Sequence, residues 1–106
     1  MSERSTLRAA VWELSGGRCE HPAAQGKRCR EPGQEMAHIR PRGMGHTGYR
    51  DHINNVMCAC ALHARSTDDL SSGEWENVVG GRAGLARYVH QLRSDAGFWL
   101  PPLLDA

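Results

Sequence analysis

The chain has 106 residues, 40% of them apolar, with three Trp, two Tyr and one Phe, and a formal net charge of +1. That length supports one small domain with a marginal core, of the kind that often needs a staple such as a metal. The total is not strongly basic, but the charge is uneven: residues 1–50 hold nine Lys/Arg against five Asp/Glu, and residues 51–106 hold four against seven.

The N-terminus is polar and charged, unlike a secretory leader. No apolar run approaches the roughly 20 residues that span a bilayer. The chain is therefore expected in a reducing cytoplasm and away from membranes, where clustered cysteines are more often metal ligands than disulfides.

Ser5 is a suitable N-cap for a helix over about residues 6–15. Leu7, Val11 and Leu14 would share its apolar face, and Gly16-Gly17 would end it in a left-handed C-cap. Residues 20–34 read as a loop, broken by Pro22, Gly26, Pro32 and Gly33. Short strands are expected at 35–39 and 53–57, separated by a Gly-rich loop over 40–51. A helix should open between Cys60 and Arg65 and extend toward Asp69. Ser71-Ser72-Gly73 is a break, residues 74–79 suit a helical turn, and a stronger helix is expected over 82–93 with Leu85, Val89 and Leu92 on one face. The last stretch, Phe98 to Leu104, is apolar but interrupted by Pro101-Pro102, so it cannot be helical throughout. Its Trp99 is expected to be buried, against that helix or against another subunit.

Four soft ligands pair by sequence. Cys19 and Cys29 lie ten apart, and Cys60-Ala-Leu-His63 has a C-x2-H spacing at the entrance to a helix. Two loops giving two ligands each is a usual way to build a tetrahedral structural zinc site. Cys58 and His21 compete for the same role, although Cys58 also suits a small buried strand residue. A second feature is a basic strip, Lys27, Arg28, Arg30, Arg40, Arg42 and Arg50. It is a candidate phosphate-facing surface because it abuts His38.

The stretch from Met36 to His63 reads M-A-H-I-R-P-R-G-M-G-H-T-G-Y-R-D-H-I-N-N-V-M-C-A-C-A-L-H. His38, Pro41, Arg42, Gly43, Gly45, Asn55 and Cys60 fall in the frame of HNH-type nucleases. From about Cys19 to Asp69 the chain resembles that ββα-metal family. The resemblance implies an α+β fold: a zinc-stapled HNH core with an N-terminal helix in residues 1–70, and a helical extension in 71–106 packed on the core or on a partner. It implies a DNA endonuclease that hydrolyses phosphodiester bonds. His38 would be the general base and Asn55 would orient it, with Asn54 as the alternative. A catalytic divalent ion such as Mg²⁺ or Mn²⁺ would act beside the structural zinc. DNA is the implied partner. Single-domain members of this size are often encoded by phages or mobile elements, some acting with packaging proteins, which would place this chain in a bacterial or phage-infected cell.

Two positions depart from the pattern. Family members often carry a metal-binding Asp or His just before the base and another directly after the second zinc pair; here these are Ala37 and Ala64. Asp68 matches a further ligand position seen in some members. His46, His52 and His63 are other candidate replacements. The alternative function is a degenerate HNH-fold zinc module that binds nucleic acid or a protein without cleaving.

Overall fold

The computed structural model describes residues 3–22, 27–40, 51–69 and 80–103. The Gly-rich loop centred on 41–50 and the expected turn at 74–79 lie outside these residues. The described elements are helix α1 (Glu3–Ser15), strand β1 (Glu35–His38), a 3-10 turn (Ile53–Asn55), strand β2 (Val56–Ala59), helix α2 (Ala61–Asp69) and helix α3 (Gly81–Asp95). The protein is thus α+β, with a two-stranded sheet and helices around it.

The strands are antiparallel, with Glu35 opposite Ala59, Met36 opposite Cys58, Ala37 opposite Met57 and His38 opposite Val56. All four residues of β2 are buried. The two-residue period of a strand divides them between two apolar clusters. Val56 and Cys58 pack with Val11 of α1, supported by Leu7, Trp12, Met36 and Ile53. Met57 and Ala59 join Ala37, Ile39, Ala64, Leu85 and Val89 on the other side. The strand is therefore covered on both faces, which is why it is short and uninterrupted by polar residues. Ile53 and the two asparagines, expected to begin this strand, form the 3-10 turn instead. Its N-cap His52 accepts the Asn54 N–H on Nδ1 at 3.0 Å, and His52 O accepts the Asn55 N–H at 2.8 Å.

Helix α1 ends at the expected glycines. Gly16 has φ 68°, and bonds from Gly16 N to Glu13 O and from Gly17 N to Trp12 O close a Schellman turn. At Gly33 the constraint is space: a Cβ there would overlap Cys58 Sγ, so the side chain of Cys58 occupies the room that glycine leaves.

Residues 18–22 and 27–32 are more ordered than their composition implies. Isolated β-bridges pair Arg18 with Pro32 and Pro22 with Arg28. Cys19 N donates to Glu31 O and Cys29 N to His21 O, both at 2.9 Å. Two arginines brace this knuckle reciprocally: Arg18 Nε donates to Cys29 O at 2.8 Å, and Arg28 Nε donates to Cys19 O at 3.0 Å.

A buried ion pair fastens α3 to everything else. Arg93 and Glu20 are 1% and 0% exposed. Arg93 Nε donates to Glu20 Oε2 at 2.7 Å and Nη2 donates to Oε1 at 2.8 Å, a bidentate fork. Arg93 also donates to Ile53 O and Val56 O, while Glu20 Oε1 accepts the Cys58 N–H. At the other end of the helix, Arg82 Nη1 donates to Ile39 O at 2.7 Å.

The C-terminal stretch docks by its backbone and not by its tryptophan. Pro101 O accepts from His90 Nε2 at 2.9 Å and from Asn54 Nδ2 at 3.0 Å. Trp99 is 84% exposed on this chain, contrary to the burial expected from its apolarity.

Two outcomes test these contacts. In the zinc-loaded protein, Glu20→Ala and Arg93→Ala should each cost about 3–5 kcal/mol in urea unfolding, since each leaves a buried charge unpaired. The double variant should lose much less than the sum. Trp99→Ala should change stability by no more than about 0.5 kcal/mol, as expected for an exposed side chain.

Candidate metal centre and the His38 pocket

Cys19 and Cys29 come from the braced knuckle, Cys60 from the end of β2, and His63 from the first turn of α2. Their ligand atoms all lie within 4.8 Å of one another. His63 Nδ1 is 3.4 Å from both Cys19 Sγ and Cys60 Sγ. A tetrahedral zinc with ordinary Zn–S and Zn–N bonds would set that edge at roughly 3.6 Å. The donor set, its spacing and its burial therefore fit a closed Cys₃His site that could hold a metal such as zinc. The four cysteines are free thiols, so no disulfide competes for the ligands.

The two competing residues are elsewhere. Cys58 packs in the α1 cluster against Gly33. His21 is buried and stacks on His63, with centroids 4.2 Å apart and planes 10° apart, so it supports a ligand. Its Nδ1 donates to Pro22 O at 2.8 Å.

Burial disfavours the charged forms of two of the four candidate ligands. Burial pushes the Cys19 thiol up to about 12, while backbone N–H groups partly oppose the shift. Burial lowers His63, keeping its ring neutral with a lone pair for the ion. Burial, with His63 alongside, lowers His21 to about 4. Glu31 N–H points at Cys29 Sγ at 3.5 Å.

His38 lies at the end of β1, with its side chain 11% exposed. Its Nε2 is 2.8 Å from Asp51 Oδ1. Asn55 acts on the backbone beside the ring. It clamps the chain just after it: Oδ1 accepts the Arg40 N–H at 2.9 Å, Nδ2 donates to Arg40 O at 3.2 Å, and Asn55 O accepts the Ile39 N–H at 2.7 Å. Asn54 instead holds the C-terminal stretch.

Ala37 and Ala64 are each 8% exposed and belong to one buried apolar cluster. Neither offers a ligand, and among the described residues the Cys₃His group is the one cluster that could hold a metal. Among the described residues no second group of three or more His, Cys, Asp or Glu side chains gathers beside His38. Asp68 belongs to α2, but its side chain lies outside what is described, as do Arg42 and Arg50.

Of the remaining basic strip, Lys27 is exposed and Arg40 is half-buried. Arg28 turns its guanidinium inward, with Nη2 donating to Ser15 O at 2.6 Å and Arg18 O at 2.9 Å. Sequence reasoning missed Glu20, Arg93 and Arg82 as partners; Asp51 was legible only as part of a loop, residues 46–52, that could fold over the site. A carboxylate between two candidate metal ligands, Cys19 and His21, was the available signal for Glu20.

Comparison of the chain with protein-family models, with curated proteins and with solved structures finds no match.

Purified protein should carry about one zinc per chain, and Cys60→Ser should lose it with a large fall in Tm, whereas Cys58→Ser should keep it. The raised Cys19 thiol is protonated at neutral pH and must release that proton to bind metal. Affinity should therefore rise with pH, by about tenfold per unit for each proton released, and weaken as pH falls. Calorimetry in buffers of different ionisation enthalpy counts the released protons.

Proposed function

We propose that the chain is a small HNH-type endonuclease that hydrolyses phosphodiester bonds in DNA, with His38 as general base. The observation that carries this reading is His38 itself: a largely enclosed imidazole at the end of β1, with a carboxylate on one nitrogen and the following backbone clamped by Asn55. Histidine suits a base because its ordinary pKa lies near neutrality. Water would give a proton to the ring as its oxygen bonds phosphorus. The bond from phosphorus to the leaving sugar oxygen breaks, and that oxygen takes a proton from solvent.

In this reading the Cys₃His centre holds zinc and is structural, keeping the knuckle, β2 and α2 in register. Lys27 and Arg40, with Arg42 and Arg50, would meet phosphates. Arg28 is assigned to the knuckle and not to DNA. The catalytic Mg²⁺ or Mn²⁺ implied by the family resemblance would find no ligand at Ala37 or Ala64.

That same pair of alanines favours a second reading, a zinc-stapled module that binds nucleic acid or a protein without cutting. A plasmid-nicking assay separates the two. Zinc-loaded protein with Mg²⁺ or Mn²⁺ should nick supercoiled DNA, and His38→Ala should cut the rate by about 10²–10⁴-fold with little change in DNA affinity. DNA binding without nicking under any divalent ion supports the module. Cleavage unaffected by His38→Ala overturns the assignment of the base.

A further inference from the structure

We infer that Asp51 is the positioning residue for His38, fixing which ring nitrogen accepts the proton. The inference rests on the nuclease reading and extends it to a residue outside the family frame described above.

The geometry has a direction. A carboxylate can only accept, so at 2.8 Å the His38 Nε2 carries the proton and donates it to Asp51 Oδ1. In the neutral ring Nδ1 is then left with the lone pair, and it is the nitrogen available to take a proton from water. Once it does, the imidazolium that forms already has a carboxylate on its other side, which stabilises the charge without any group moving.

Both partners are held before any substrate arrives. His38 is paired opposite Val56, and the two residues after it are tied to Asn55. Asp51 directly precedes His52, whose ring and carbonyl cap the 3-10 turn through Asn54 N and Asn55 N. The base and its carboxylate are therefore mounted on opposite sides of the same Asn55-centred turn. Asp51 is itself 61% exposed, so it positions the ring without closing the site to solvent.

The test uses full-length, zinc-loaded protein with Asp51→Ala and Asp51→Glu beside wild type and His38→Ala. Proton–nitrogen spectra of ring-labelled histidine should show a hydrogen-bonded, downfield His38 Nε2–H in wild type, lost in Asp51→Ala and at least partly recovered in Asp51→Glu. In nicking assays, Asp51→Ala should lower kcat by about 10- to 100-fold, the scale on which carboxylate partners of functional histidines act. KM and the half-saturating Mg²⁺ concentration should stay near wild type, and Asp51→Glu should restore part of the rate. Nicking lost in His38→Ala but unchanged in Asp51→Ala overturns the role of Asp51 alone. A raised Mg²⁺ requirement in Asp51→Ala, with kcat recovered at high Mg²⁺, overturns it in favour of a metal ligand. No nicking by wild type, or nicking indifferent to His38→Ala, overturns the nuclease reading and this role with it.

Discussion

The Glu20–Arg93 pair is the constraint on which the arrangement depends. Glu20 sits between a metal-site cysteine, Cys19, and the histidine that stacks on His63. Its carboxylate accepts from Arg93 and from the Cys58 N–H, and Arg93 spends its other donors on Ile53 O and Val56 O. One buried pair thereby joins the knuckle, the 3-10 turn, β2 and α3. Two charges in an apolar interior are costly to desolvate, and a well-packed apolar pair can be as stable. What the ionic version supplies is direction: a guanidinium fork fits a carboxylate and two carbonyls in one orientation only, so α3 cannot slide along its own apolar stripe.

Metal and core are coupled through the same residues. Cys19, Cys29 and Cys60 are counted among the buried cluster that also holds Met57, Leu85 and Val89. Binding an ion there would convert the buried Cys19 thiol, disfavoured as an anion by desolvation, into a ligand whose charge the ion neutralises. The pair Arg18 and Arg28 pre-shapes the knuckle by capping the Cys29 and Cys19 carbonyls. A chain this short gains from both devices, because its apolar residues alone cover little more than one side of each helix.

The helices and the ligand set were legible in the sequence because their signals are local. Glycines at 16 and 17 announce the end of α1, and the C-x2-H spacing places Cys60 and His63 at a helix entrance. The pairings of residues 18–32 were hidden, since prolines and glycines mark a break in regular structure and say nothing about isolated bridges. The Glu20–Arg93 pair spans 73 positions, and no periodicity connects residues that far apart. Of the two coverings expected for Trp99, the chain's own helix does not supply one: hydropathy reports what a side chain prefers, while the C-terminal stretch is held through the Pro101 carbonyl. Arg28 looked like a free basic residue and is a carbonyl clamp, a distinction that requires knowing which carbonyls face it.

Ala37 and Ala64 bear on how the site could have come to its present form. Position 37 lies on the face of β1 that meets α2, and position 64 lies on α2; both methyls now share a cluster with Ile39 and Met57. If these positions once held a metal ligand each, removing one would have left the other without its ion and exposed to desolvation, which favours losing both. The reverse path is harder. A single Asp at either position would place a charge among apolar side chains with no partner, costing stability before any ion affinity appeared. Groups at the rim meet no such barrier. Asp51 lies at the surface, already engages His38, and can change its role without disturbing the core. The surroundings of His38 can therefore vary at Asp51 without disturbing the core, while the buried alanines between β1 and α2 serve packing.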